Sequence, residues 1–112
     1  MLKKDNKITK KKEFDFIFKK GKSSFDNIIG VRVIKNNLNN KRFGIIVGTK
    51  VSKKAVERNR IKRRIKTVLV KEISKIKQSI DCIIISLPQI KTSNYKDIQI
   101  SLQNHFKKLN LF

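Results

Sequence analysis

The chain has 112 residues, 29 of them Lys or Arg against 8 Asp or Glu, for a formal net charge of +21 and a hydrophobic share of 38%. That length supports one domain with a modest core, and the charge calls for a polyanionic partner: nucleic acid is favoured because each neutralised phosphate releases a counterion. One cysteine excludes an intrachain disulfide and a multi-cysteine zinc site, and no run approaches the ~18 apolar residues of a membrane span, which leaves a basic membrane-surface protein as the rival class.

Residues 1–8 are basic and polar and read as a loose arm. No apolar signal segment follows Met1-Leu2-Lys3-Lys4-Asp5, so a cytoplasmic protein is expected. Thr9 can cap a short helix through Lys20, with Gly21 as a left-handed stop. Within it Phe14, Ile17 and Phe18 share one face and Phe16 lies off it. Such rings serve equally as core packing or as a stacking platform for unpaired bases.

Lys22 to Asn27 reads as a connector. Ile29, Val31 and Val33 then alternate through a strand over 28–35, and Asn36-Asn37-Leu38-Asn39-Asn40 is a turn. A second strand over 41–48 puts Phe43, Ile45 and Val47 on one side, and the two strands are expected to pair as an antiparallel hairpin. Ser52 can cap a long helix over 53–77 whose Ile61, Ile65, Val68, Leu69, Ile73 and Ile76 gather on less than half its circumference. Asn59, Arg60, Arg63 and Thr67 project to the other side, with Lys66 at the border and Arg58 and Lys62 near the start. Glu57 and Glu72 are the only acids along this helix, so its cations repel one another at i,i+3 and i,i+4 unless an outside anion offsets them.

Cys82-Ile83-Ile84-Ile85-Ser86-Leu87 is a nearly continuous apolar run, consistent with a strand covered on both faces and ended by Pro88; Cys82 reads as a small buried hydrophobe. Strand, helix and buried strand imply a parallel crossover. After a loop over 89–93, Asn94 can cap a last helix with Tyr95, Ile98, Leu102, Phe106 and Leu109 on one stripe. His105 falls beside that stripe, in a surface or partly packed place. The order alone suggests a small single-domain α+β RNA-binding fold, an α-β sandwich of order α-β-β-α-β-α with room for one further short strand.

The stretch Ala55-Val56-Glu57-Arg58-Asn59-Arg60-Ile61-Lys62-Arg63-Arg64 closely resembles the Arg-Asn-Arg signature of the bacterial ribonuclease P protein subunit. Glu13-Phe14 with Phe18-Lys19-Lys20-Gly21, Arg42-Phe43-Gly44-Ile45 and Asp81-Cys82-Ile83-Ile84 are similar too, so the resemblance covers nearly the whole chain. It implies a left-handed crossover around the signature helix, against the usual right-handed rule. It also implies a subunit that joins a catalytic RNA to remove the 5′ leader from precursor tRNA, as a monomer in a one-to-one complex. By position, Lys50, Lys53, Lys54, Arg58, Asn59, Arg60, Lys62, Arg63, Arg64 and Lys66 would face RNA. Phe14, Phe18, Arg32 and Phe43 would line the leader cleft. Thr49-Lys50 stands where the family usually has two lysines, and Arg32 where an aromatic might stack on the leader.

The acids Asp5, Glu13, Asp15, Asp26, Glu57, Glu72, Asp81 and Asp97 are scattered, and metal-assisted phosphodiester hydrolysis needs carboxylates converging on cations. With the resemblance, this implies Mg²⁺ held mainly by RNA as the cofactor, with none bound tightly by the protein. A ribosomal or other structural RNA-binding protein is the alternative, and a stand-alone nuclease a third reading.

Overall fold

Alternation along the strands divides the apolar residues between two faces of one sheet, and each helix is placed by the face it covers. In this computed structural model, which describes residues 3–112, the elements are α1 (Lys11–Lys20), β1 (Lys22–Phe25), β2 (Ile29–Lys35), β3 (Arg42–Ile46), α2 (Ala55–Glu72), β4 (Ile80–Ser86) and α3 (Tyr95–Lys108). The α+β order is the one expected, and β1 supplies the further short strand inside the supposed connector. The sheet runs β1-β2-β4-β3.

β4 is antiparallel to β2 and parallel to β3, so β3–α2–β4 is the expected parallel crossover. The expected hairpin is corrected: β2 and β3 are not neighbours, because β4 lies between them. Ile80, Cys82, Ile83 and Ile84 of β4 all have no exposure, and only a central place covers both faces of such a strand. The more polar β1 and the short β3 are left as edges. The asparagine loop still turns the chain, with Asn39 at φ 53° and the Leu38 N–H donating to the Asn36 side chain at 3.0 Å.

One face carries the main core. Ile29, Val31, Val33, Phe43, Ile45, Cys82 and Ile84 meet Ile61, Ile65, Val68 and Leu69 of α2 and Ile98, Leu102 and Phe106 of α3. Each such side chain contributes about 1.5–3 kcal/mol on leaving water. α2 stops at Glu72, five residues short of the expected end, and a 3-10 turn over Ile73–Lys75 carries Ile76 into the same core. α3 has the capping box expected of Asn94: its side chain accepts from the Asp97 N–H at 2.8 Å, and Asp97 accepts from the Asn94 N–H at 3.1 Å. His105, expected near the surface, is buried instead. Its Nδ1 lies 2.7 Å from the Ser24 hydroxyl and its Nε2 3.0 Å from the Ile29 carbonyl, so it ties α3 to β1 and β2.

Among the described residues, the opposite face is covered only by α1 and the segment before it. Ile8, Ile17 and Ile83 form a small buried cluster, with Phe14, Ile34, Ile46 and Ile85 packed around it. The supposed loose arm is therefore corrected over 3–8. Ile8 is buried, its N–H donates to the Phe43 carbonyl at 2.9 Å, and Asn6 donates to the Lys41 carbonyl at 2.6 Å. Residues 1 and 2 of that arm lie outside the described residues. The predicted caps at this end also differ: Lys10 rather than Thr9 precedes α1, and Gly21 has φ −74°, not a left-handed stop. Glycine is needed there for space, since a Cβ would sit 2.6 Å from the Ile17 carbonyl oxygen. Lys54 rather than Ser52 precedes α2, and the Ser52 hydroxyl accepts from the Lys54 N–H at 3.1 Å.

Candidate nucleic-acid interface

Helical spacing on α2 sends isoleucines inward and cations outward. Asn59, Arg60, Lys62, Arg63 and Thr67 are exposed, as are Lys50, Lys53 and Lys54 on the approach to the helix. Among the described residues, Lys50, Lys53, Lys54, Lys62 and Arg63 have no carboxylate within salt-bridge range, and Arg60 has only Glu57 at 3.7 Å. Two signature arginines are partly spent inside the protein. Arg58 donates to the Ser52 carbonyl at 3.0 Å, and Arg64 donates to the Ser93 carbonyl at 2.9 Å. These bonds anchor the two sides of α2, while Lys62 and Arg63 stay exposed.

The sheet face under α1 shows a second feature. Glu13, on one flank of α1, pairs with Arg42 at 2.7 Å, and Arg42 forks onto Asp81 with bonds of 2.9 and 2.7 Å. Asn36 adds a further donor to Asp81 at 2.7 Å, so that flank is closed and neutralised. Phe14 and Phe18, one turn apart, lie toward the other flank. There strand register lines up Ile46 of β3, Ile85 of β4, Gly30 of β2 and Phe25 of β1 in one row across the sheet. Ile46 and Ile85 are half-buried, while Phe18 is 40% exposed and Phe25 is 51% exposed. The result is an open apolar trough with an isoleucine floor and aromatic rings along it.

Trough and basic helix meet at one groove. Lys7, Lys62 and Lys66 line it together with Phe14 and Gly44. The Phe14 ring rests where a Gly44 Cβ would be, 2.5 Å from its nearest ring atom, so glycine is what lets the ring lie on β3. Partial burial pulls the Lys66 ammonium below its ordinary value, and the charges of Lys62 and Lys7 add to the pull. Three cations crowded without a facing carboxylate form a site that a phosphate would relieve.

A family model described as Ribonuclease P matches residues 2–110. The chain belongs to the ribonuclease P protein family. It is 37% identical over 110 residues to a ribonuclease P protein component from Clostridium botulinum strain Loch Maree, covering 97% of this chain and 98% of that one. A counterpart from Alkaliphilus metalliredigens is 34% identical, with 96% of each covered. Among solved structures, the Staphylococcus aureus RNase P protein superposes with a TM-score of 0.87 at 33% identity, covering 97% of this chain and 99% of that one. The RNase P protein from Thermotoga maritima gives 0.78 at 25% identity, covering 88% and 92%.

Against that ribonuclease P frame, the leader cleft drawn from resemblance needs two corrections. Phe43 is only 2% exposed and belongs to the main core on the far face of the sheet; its neighbours Gly44 and Ile46 face the trough. Arg32 is half-buried and its Nη2 donates to the Phe18 and Gly21 carbonyls, the latter at 3.0 Å, so its head closes the C-terminus of α1 instead of standing free to stack. Two trough residues were missed. Lys7 was lost in the supposed arm, and Phe25 in a Ser-rich connector where a single ring gave no alternation to read.

Proposed function

We infer a division of labour within ribonuclease P, the endoribonuclease of tRNA maturation, of which this chain is a protein subunit with RNA as its partner. We propose that the α2 cations grip the catalytic RNA while the trough beside α1 takes the single-stranded 5′ leader of precursor tRNA. The groove where Lys62 and Lys66 meet Phe14 carries this reading, because it joins a phosphate-seeking surface to a base-stacking one. A duplex hides its bases, whereas an unpaired leader offers both phosphates and aromatic faces to such a track.

The catalytic groups lie on the RNA in this reading. Glu13 and Asp81 are held by Arg42, Glu72 by Lys75, Glu57 by Lys91, and Asp97 caps α3. Carboxylates engaged by side chains and backbone in this way are not gathered to hold a metal ion among the described residues, which supports Mg²⁺ held mainly by RNA oxygens. The protein's part is to neutralise repulsion between the RNAs and to position the leader, as a monomer bound one-to-one in the cytoplasm. No helix among the described residues is long and apolar enough to cross a membrane.

Reconstitution with the catalytic RNA at low Mg²⁺, with precursor tRNA as substrate, is the test. Leader removal should require both components. Cleavage by protein alone would defeat the division of labour; indifference of the RNA to this chain, with binding to ribosomal RNA, would favour a structural RNA-binding role.

A further inference from the structure

β1 ends in Phe25, directly opposite Gly30 in the β1–β2 register. Strand alternation puts Ile29 and Val31 into the main core, so Gly30 and Phe25 face the trough. The space a Gly30 side chain would fill is taken by the Cδ2, Cε2 and Cζ side of the Phe25 ring. Gly30 itself is buried while Phe25 remains 51% exposed. An edge-strand phenylalanine is thus laid against bare backbone on one side and left open to solvent on the other. A ring supported from behind and open in front loses little freedom when a base covers it.

We propose that Phe25, seated on Gly30 at the end of the trough away from the lysine groove, is a base-stacking step that takes one unpaired leader nucleotide beyond those held at Phe14 and Phe18. The proposal rests on the reading of the trough as the leader track, and it commits to single-stranded RNA as occupant. Charge complementarity favours that occupant: at the β3 side of the sheet, Lys7, Lys62 and Lys66 line a groove together with Phe14 and Gly44, in a chain of net charge +21. The Ser24 side chain points to the opposite face, where it is bound to His105, so β1 is pinned and presents Phe25 from a fixed edge. A base there would lie on the sheet rather than on α1, which separates its contribution from that of Phe14 and Phe18.

The experiment uses the protein assembled with its catalytic RNA and precursor tRNAs whose leaders lengthen one nucleotide at a time, with 2-aminopurine placed at each leader position in turn. For the unsubstituted protein, affinity should rise with leader length to a plateau, and 2-aminopurine emission should fall at the positions that stack. Phe25→Leu should reach its plateau one nucleotide earlier, about 5-fold or more weaker, and restore emission at that single position. Phe25→Tyr should behave as the unsubstituted protein. Gly30→Ala keeps the phenylalanine but displaces the ring from its seat, and it should reproduce the Phe25→Leu result, with affinity for leaderless tRNA unchanged in each case.

If leader length matters but Phe25→Leu and Gly30→Ala leave both the plateau and every emission value in place, the step at Phe25 is overturned and the leader track survives. If leader length is without effect even for the unsubstituted protein, the track itself fails and the step with it. A general loss that includes leaderless tRNA would mark Phe25 as structural and overturn the proposal.

Discussion

The two faces of the sheet are built on opposite terms. On the α2–α3 face, apolar side chains from both helices close over the strands, and buried polar groups such as His105 and Glu72 find partners there. On the α1 face a single short helix leaves Phe18 and Phe25 exposed beside it, with Lys7, Lys62 and Lys66 around the groove at Phe14. The first face is expected to carry most of the stability, the second most of the selectivity. Adjacent residues Phe43 and Gly44 mark the division, one sealed in the main core, the other making room for Phe14.

Substitutions can break that contrast, beginning with Phe43→Ala. Emptying a fully packed site should cost about 3–5 kcal/mol in denaturant unfolding, with no selective loss for leader-bearing RNA. A leader-specific defect in a fully stable variant would put Phe43 in the cleft after all. Arg42→Met should come next, at about 3 kcal/mol, because it strands Glu13 and Asp81 on the closed flank of α1. Phe18→Ala tests the open flank. It should reduce preference for precursor over mature tRNA by about 1–3 kcal/mol with little change in melting temperature, and equal loss for both RNAs with a lower melting temperature would show core packing instead.

Smaller effects sharpen the picture. Arg63→Ala should weaken RNA binding and lower the slope of log affinity on log salt by about 0.7–0.9, the share of one phosphate; an unchanged slope would put Arg63 off the interface. Acid should loosen the closed face. Hydrogen bonds to Lys75 and Gln103 outweigh burial and hold Glu72 below its ordinary value, and Ser101 with the Ile29 and Ile28 N–H groups does the same for Asp26. A depressed carboxylate stabilises above its unfolded value near 4 and loses that contribution as pH falls through the lower folded one. Melting temperature should therefore drop below about pH 4, and Glu72→Gln should flatten the drop. Both carboxylates clasp α3, through Gln103 and Ser101, so hydrogen exchange should show α3 loosening first.

Much of this was legible in the residues. The stripe Ile61, Ile65, Val68, Leu69 placed α2 and turned its cations outward, and the unbroken run after Asp81 announced a strand buried on both sides. Pairing order was not legible, because the choice between a local hairpin and the insertion of β4 depends on covering a distant strand, which no local pattern encodes. The place of Phe43 could have been corrected from parity: alternation put it with Ile45, and a residue that shares the core side of its strand cannot also line the other. His105 gave no sign of its burial, since its partners Ser24 and Ile29 are remote in the chain.

Arg32, on the sheet, clasps the last carbonyls of α1, while Arg42 fastens the first turn of the same helix through Glu13. With both ends clamped to the strands beneath, the gap between helix and floor has a preset width before any guest arrives. For the proposed leader, the ordering penalty on association then falls almost wholly on the RNA, so stiffer purine-rich segments should seat more tightly than equally long uridine tracts.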